Sequence, residues 1–318
     1  MILAEAKKLF LKFLKENKNK RFVISTHARA DIDAISSAYA VSSVFPNSVI
    51  AVPDELNESA AALAVELGIK FEVVKSLDKS KFDGMIVTDT SAYSLLKDSR
   101  EWKVVLIIDH HRAEGRDMKS ESEIIEEQSP SCAELVANIL PKITDKKIAF
   151  ALVCAIISDT ARFKSGRKET FETLAKLLEI AEAGYQEVLK FGEPELELDR
   201  KIAIIKAFQR MDYQIIDKYI VATSEVSSNE GDASAALSEV VDVAFVASFR
   251  EIENECRVSA RARKHVTVPL HEVMKSVAMR YGGNGGGHPK AAGAGVPKMQ
   301  PKEVLKACIN AFAMKLNR

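Results

Sequence analysis

Four apolar runs in the first half of the chain each lead into a carboxylate or an imidazole, and this constrains the fold more than any other feature of its 318 residues. Phe22-Val23-Ile24-Ser25-Thr26 is followed by His27, and Met85-Ile86-Val87-Thr88 by Asp89. Val104-Val105-Leu106-Ile107-Ile108 is followed by Asp109-His110-His111, and the stretch from Ala149 to Ser158 by Asp159. The first three, short and bounded by polar residues, read as buried strands. In an open α/β sheet, ligands bind at the carboxyl ends of such strands. Carboxylates and imidazoles brought there from separate segments are the donor set that a two-metal hydrolase site needs.

Strand-like runs over 21–26, 48–52, 70–75, 84–88 and 104–108 alternate with helical patterns over 33–45, 56–67 and 91–98. This alternation predicts an α/β fold whose first domain holds a parallel, Rossmann-like sheet. Helical patterns dominate from Cys132 to Leu189. The segment Gly184 to Asp199 carries Gly192, Pro194 and several glutamates, as a linker does. The expected division is a metal-binding domain at 1–185, a linker at 186–199 and a substrate-binding domain at 200–318. The second domain reads as smaller and mixed α/β. It has a helix over 200–210, strands over 214–223, 243–250 and 256–262, a helix over 269–280, a glycine-rich loop and a closing helix over 301–316.

The 45 basic and 45 acidic residues cancel, which argues against an electrostatic hold on long duplex nucleic acid. No apolar run reaches the roughly 18 residues needed to cross a bilayer. The first 20 residues set Phe10, Phe13 and Leu14 against many lysines and include Glu5 and Glu16, which reads as a packing helix and not a targeting signal. Cys132, Cys154, Cys256 and Cys308 lie far apart without a CxxC spacing, which disfavours a zinc-thiolate site. A reduced, cytoplasmic protein is the simplest expectation.

His27, Asp31 and Asp33 share one short loop before a helix. Asp33 fits either a helix N-cap or a metal ligand. With His27 and Asp31 beside it, ligation is the adopted reading. Imidazole mixed with hard oxygen donors suits Mn²⁺ or a similar ion. Asp89 fits a cap, or a carboxylate bridging two ions about 3.5–4 Å apart. Adjacent histidines on a strand end point in different directions, so one of His110 and His111 can ligate while the other faces substrate. Asp109 would then orient an imidazole. Asp159 closes an apolar helix, where the dipole favours a cation. A nearby metal and Arg162 are the two partners that explain it.

The run Gly282-Gly283-Asn284-Gly285-Gly286-Gly287-His288-Pro289 holds five of the chain's 14 glycines. Glycine permits close backbone approach, and exposed N–H groups can cradle an anion. In Cys256-Arg257-Val258-Ser259-Ala260-Arg261-Ala262-Arg263 the polar residues alternate, so Arg257, Ser259, Arg261 and Arg263 are expected on one strand face. Arginines so arranged can bind phosphate bidentately.

The set H-x3-D-x-D, an isolated Asp after a strand, D-H-H and S-D-T resembles the DHH phosphoesterase superfamily. S-x-R-x-R with G-G-G-H-P-K-A-A-G resembles the DHH-associated C-terminal domain. The resemblance covers nearly the whole chain, with the motifs in family order. It implies two Mn²⁺ ions per chain in a cleft between domains, with Mg²⁺ or Co²⁺ as substitutes. His27, Asp31 and Asp89 would hold the first ion, and Asp33, Asp89, His110 and Asp159 the second. His111, Asp89 and Asp109 would be the catalytic groups, with His111 facing the scissile phosphate. Ser259, Arg261, Arg263, Gly286, Gly287 and His288 would grip a terminal phosphate or nucleotide.

Within the superfamily, the two-domain length resembles the nanoRNases that also dephosphorylate 3′-phosphoadenosine 5′-phosphate. That implies hydrolysis of short oligonucleotides, of 3′-phosphoadenosine 5′-phosphate, or of both, to mononucleotides or phosphate. The alternatives are a RecJ-like single-strand exonuclease, a cyclic- or linear-dinucleotide phosphodiesterase and a non-catalytic scaffold. The expected partners are short single-stranded RNA or DNA or small nucleotides, with no membrane and with a homodimer left open. Ala30-Asp31-Ile32-Asp33 departs from the family pattern, which commonly has Pro before the first Asp and a small residue or Pro between the two. Arg112 replaces the Pro that often follows DHH.

Overall fold

In the computed structural model, which describes residues 3–111, 116–192 and 196–316, the five strand-like runs of the first half pair side by side. They form β1 (Phe22–Ser25), β2 (Val49–Val52), β3 (Glu72–Val73), β4 (Gly84–Thr88) and β5 (Val104–Asp109), and β6 (Glu123–Ile125) joins them. The sheet order is β3-β2-β1-β4-β5-β6, with every pair parallel. The chain order reverses between β1 and β4, and at such a switch point the loops diverge and leave a crevice for ligands.

One face of this sheet is covered by α1 (Leu3–Asn17), α2 (Ile32–Ser42), α3 (Glu58–Leu67), α4 (Cys132–Ile139), α5 (Lys146–Asp159), α6 (Lys168–Ala181) and α7 (Tyr185–Gly192). Phe10 and Phe13 of α1 meet Phe22 and Phe45 in an aromatic cluster, while the lysines of α1 stay outside. The other face buries Val23, Met85, Val87 and Ile107 under Leu96 and Met118 from irregular segments.

The chain divides into two compact units, Met1–Glu195 and Leu196–Arg318. The second contains α8 (Leu198–Gln209), β7 (Asp212–Ile216), β8 (Tyr219–Glu225), α9 (Glu230–Leu237), β9 (Val243–Arg250), β10 (Glu255–Ala262), α10 (Leu270–Arg280), β11 (Asn284–His288), β12 (Ala291–Pro297) and α11 (Pro301–Leu316). Its sheet runs β11-β12-β10-β9-β8-β7 and is antiparallel except for β8 and β9, which α9 connects. Phe245, Val258 and Val296 pack with α10 and α11 on one face. On the other, Ala222, Ala244 and Val246 pack under Ala207 of α8 and Ala233 and Leu237 of α9. Among the described residues, no helix is long and apolar enough to cross a membrane.

Several expected elements differ. The helix over 91–98 is a turn followed by a 3-10 helix at Lys97–Glu101. Its carbonyls are used elsewhere: Ser91 accepts from the N–H groups of Asp117 and Met118, and Leu95 from that of Ala28. The strand over 70–75 shortens to β3, because only Glu72 and Val73 find partners in β2. The expected linker at 186–199 is largely helical: α7 runs through it, α8 begins at Leu198, and Glu193, Pro194 and Glu195 lie outside the described residues. The single strand over 214–223 is a hairpin turning at Asp217, which takes the left-handed conformation that Asp tolerates (φ 56°). The glycine-rich loop is the edge strand β11 from Asn284 to His288.

The aromatic cluster gives the fold its first test. Phe45 is fully buried with ring centroids 6.4, 6.1 and 5.6 Å from Phe10, Phe13 and Phe22. Phe45→Ala is expected to destabilise the first unit by about 3–5 kcal/mol, read from the urea unfolding midpoint.

Candidate metal centre and anion-binding face

The loop after β1 is held by its backbone. Ala28 N–H donates to Leu95 O (2.8 Å) and Arg29 N–H to Asp54 Oδ1 (2.8 Å), with Arg29 left-handed (φ 52°). Asp31 is the N-cap of α2 and accepts from Ala34 N–H at 3.0 Å. The capping role considered for Asp33 therefore falls to Asp31, because the helix starts at Ile32. Asp33, only 2% exposed, caps a different helix. Its two oxygens accept from Cys132 N–H (2.7 Å) and Ala133 N–H (2.8 Å), the first residues of α4. A carboxylate is favoured at that positive helix end.

Asp89 follows β4 in a left-handed conformation (φ 60°) and donates its N–H to Ile108 O (2.9 Å). It is 2% exposed and stands at the centre of the cluster. Oδ2 lies 3.4 Å from His27 Nε2, which is 3.9 Å from Asp31 Oδ1. Oδ1 lies 3.4 Å from His110 Nε2, which is 3.9 Å from Asp33 Oδ2 and 3.6 Å from Asp159 Oδ2. The two oxygens of one carboxylate thus face two groups that could each hold a metal ion: His27, Asp31 and Asp89 in one, Asp33, His110 and Asp159 in the other. Asp89 Oδ1 is buried and has no hydrogen-bond partner. Such an acceptor costs free energy unless a cation completes it, so the residues present fit divalent ions.

Each histidine of the cluster has Nδ1 engaged. His27 Nδ1 bonds to Ala28 O (2.9 Å), His110 Nδ1 to Ser129 O (3.1 Å) and His111 Nδ1 to Asp109 Oδ1 (2.8 Å). That leaves Nε2 as the free nitrogen, the arrangement that outer-shell partners impose on metal-binding imidazoles. Asp109 is fully buried, accepts from Ser91 Oγ (2.6 Å), and is held down at about 2 because the bonds from His111 and Ser91 outweigh burial. His111, whose side chain is 56% exposed, has its Nδ1 committed to Asp109 and forms with Asp89 and His110 a further group that could hold a metal ion.

Without ions, protons balance the charge. Burial alone would lower His27 and His110, but Asp89 raises His27 to about 9, and Asp89 with Asp33 raises His110 to about 10. Burial and the neighbouring charges of Asp89 and Asp159 push Asp33 well up, and burial lifts Asp159 to about 6.

Sequence reasoning missed the segment that braces this cluster. Ser129-Pro130-Ser131 leads into α4, and within five residues it supplies the carbonyl for His110 and the two N–H groups for Asp33. Ser131 caps α4 by accepting from Glu134 N–H (3.0 Å), and buried Glu134 pairs with Arg167 (3.1 Å). The signal present was Ser131-Cys-Ala-Glu134 before an apolar run, a helix-start pattern.

In the second unit the register aligns the expected substrate residues across three strands. Arg261 lies opposite Ala291 and Ala291 opposite His288; Ser259 lies opposite Gly293 and Gly293 opposite Gly286. Opposed residues share a face. The central strand there carries nothing larger than a methyl group, so a trough runs between the flanking side chains. A depression of about 440 Å³ beside it is lined by Gly231, Arg257, Ser259, Asn284 and Gly293. Ser259 Oγ bonds to Ser234 Oγ of α9 (2.9 Å). Gly287 needs its φ of 130°, and a Cβ there would meet Ala291 O at 2.6 Å. Gly286 has open space where a side chain would stand. Arg263 departs from the expected row: β10 ends at Ala262, and its guanidinium donates to the carbonyls of Ser238 and Glu239. Arg257 is held by Glu253 (2.6 Å) and Glu255 (3.4 Å).

Residues 21–156 match the DHH family, N-terminal domain, and residues 217–316 match the DHHA1 domain. A protein of Methanocaldococcus jannaschii, MJ0988, is 30% identical over 95% of this chain and 97% of its own length. The chain belongs to the DHH family. Its fold is similar to an exopolyphosphatase-related protein from Bacteroides fragilis (TM-score 0.74, 16% identity, 98% of this chain and 96% of that one). It is also similar to RecJ in complex with Mn²⁺ from Thermus thermophilus (TM-score 0.53, 12% identity, 98% of this chain and 54% of that one). Of the two departures from the DHH pattern, Ile32 is buried at the start of α2, and Arg112 lies outside the described residues.

Ion binding in this DHH cluster must expel the protons held by His27 and His110, because both sit above neutrality in the ion-free protein. Mn²⁺ affinity is therefore expected to rise with pH up to about pH 10, with proton release on binding. Calorimetry in two buffers of different ionisation heat measures that release, and a titration without it would contradict the assignment.

Proposed function

We propose that this protein is a Mn²⁺-dependent phosphoesterase that hydrolyses short oligonucleotides, 3′-phosphoadenosine 5′-phosphate, or both. The observation that carries the reading is Asp89, whose two oxygens face separate imidazole-carboxylate groups while Oδ1 has no partner of its own. His27, Asp31 and Asp89 would hold one ion, and Asp33, Asp89, His110 and Asp159 the other. Two ions bound there would make an attacking water more acidic and neutralise charge on the phosphoryl oxygens. Asp109 fixes the imidazole of His111, which turns Nε2 toward the scissile phosphate. In the second unit Ser259, Arg261, Gly286, Gly287 and His288 would capture a terminal phosphate. Arg263 would act there by holding the end of β10 in place through Ser238 and Glu239.

Asn tolerates the left-handed backbone that residue 89 needs, so Asp89→Asn removes the charge with little strain. It is expected to lose both ions and all measurable activity, whereas Asp31→Asn loses one ion. Mn²⁺ stoichiometry of the folded variants decides this, and retention of two ions by Asp89→Asn would refute the bridging role.

Arg261→Ala and His288→Ala are expected to keep both ions while weakening phosphate-terminated substrates by about one to two decades in affinity, the worth of a charged hydrogen bond. A panel of dinucleotides, longer RNA and DNA, cyclic dinucleotides and 3′-phosphoadenosine 5′-phosphate, assayed with Mn²⁺, Mg²⁺ and Co²⁺, identifies the substrate class. Equal binding of phosphorylated and unphosphorylated substrates by parent and variants would remove the second unit from phosphate recognition.

A further inference from the structure

Among the described residues, four strands lie at sheet edges. β3 and β6 have two and three residues, and β11 is Asn284 and His288 around three glycines. β7 is different. Asp212-Tyr213-Gln214-Ile215-Ile216 pairs with β8 without a register shift and contains no proline or lysine, and its only charge is Asp212 at the first position. Tyr213 is 61% exposed and Ile215 68%. Regular edges with exposed apolar side chains invite strand addition, and proteins ordinarily guard them with charges, proline, bulges or short length.

The register shows which backbone groups are free. Ile220 of β8 donates its N–H to Asp242 Oδ2 (2.7 Å) and accepts from Asp242 N–H (3.0 Å), away from β7. Ile215 stands opposite Ile220, so the two form a non-hydrogen-bonded pair. The N–H and C=O of Ile215 therefore point to the open side. The alternation of an antiparallel ladder gives Tyr213 the same orientation, with its C=O open and its N–H donating to Oδ1 of the preceding residue, Asp212 (2.9 Å). Tyr213 and Ile215 also share the sheet face of their partners Ala222 and Ile220.

We propose that β7 pairs antiparallel with β7 of a second copy of this chain, about a two-fold axis through Gln214, joining two second-unit sheets into one. In that register Tyr213 of each copy faces Ile215 of the other, Asp212 faces Ile216, and Gln214 faces itself. It pairs all five residues and uses the outward N–H and C=O of Ile215 and the outward C=O of Tyr213, and the Tyr213 N–H exchanges its bond to Asp212 Oδ1 for one across the axis. Aromatic residues opposite β-branched ones are favourable cross-strand pairs. A two-fold contact of this kind closes on itself and consumes both free edges, so it does not propagate into a filament. The self-complementarity of these five residues favours a second copy over an unrelated peptide.

Sedimentation equilibrium on the full chain tests the proposal with three variants. Ile215→Pro removes an outward N–H and none of the bonds to β8, and Ile215→Lys puts a charge on the edge. Both are expected to weaken the dimer at least tenfold with the circular dichroism spectrum unchanged. Gln214→Cys is expected to yield a dimer crosslinked by a reducible disulfide under mild oxidation, since the axis sets residue 214 against itself and the four native cysteines are buried. Tyr213→Cys, facing Ile215, should crosslink poorly. Should Ile215→Pro fail to fold, Ile215→Lys and Gln214→Cys remain decisive. A parent chain that stays monomeric at about 100 µM, where a micromolar dimer would be complete, would overturn the proposal. So would a dimer that Ile215→Lys leaves intact and Gln214→Cys does not crosslink.

Discussion

Asp89 is a charged carboxylate buried at a strand end, and the rest of the first unit answers the cost of keeping it there. Taking an ionised group out of water is unfavourable unless opposite charge and hydrogen bonds replace the solvent. The sheet order supplies the first part. With β4 between β1 and β5, the loop after each neighbour brings an imidazole to one oxygen of Asp89, His27 to Oδ2 and His110 to Oδ1. The nearby imidazoles of His110 and His27 hold Asp89 below its ordinary value against the pull of burial. The left-handed backbone at residue 89 belongs to the same arrangement, because it turns the carboxylate back across the strand ends. Strain of this kind persists where the surrounding structure over-determines it, and it concentrates at functional sites.

A second layer then fixes the donors. The turn from Ser129 to Ala133 reaches Asp33 through two N–H groups and His110 through one carbonyl, so a single element positions candidate ligands from α2 and from just beyond β5. Asp109 and Ser91 do the same for His111. Backbone groups dominate this layer. Precision comes from rigid elements whose polar groups would otherwise be unsatisfied, and the donor atoms are preorganised before any ion arrives.

The second unit solves a different problem with a different device. Its phosphate-binding candidates gain access through the absence of side chains. Ala291, Gly293 and Gly295 leave the middle of a three-strand surface open between the β10 row and β11. Here glycine keeps a surface low enough for a ligand to meet the backbone. The opposite edge of the same sheet, at β7, exposes Tyr213 and Ile215 and carries one charge, Asp212, so the two edges of one sheet have contrasting chemistry.

Local chemistry in the sequence determined the strand-forming runs, the residue types at their ends and the spacing of the metal-binding motifs, because burial of apolar runs and side-chain donor identity are properties of short segments. His27, Asp31, Asp33, Asp89, His110 and Asp159 could be named from those signals alone, and the structure brings all six within one cluster. Arg261 and His288, some 27 positions apart in a region read partly as a loop, could not be placed in one row without the β10–β12–β11 register. The segment over 91–98 carried helical periodicity, yet its carbonyls were claimed by Asp117, Met118 and Ala28. The bracing by Ser129, Cys132 and Ala133 was invisible because it uses main-chain atoms, which every residue has. Strand order, register and the partners of backbone groups depend on contacts between distant segments, and only the tertiary structure decides them.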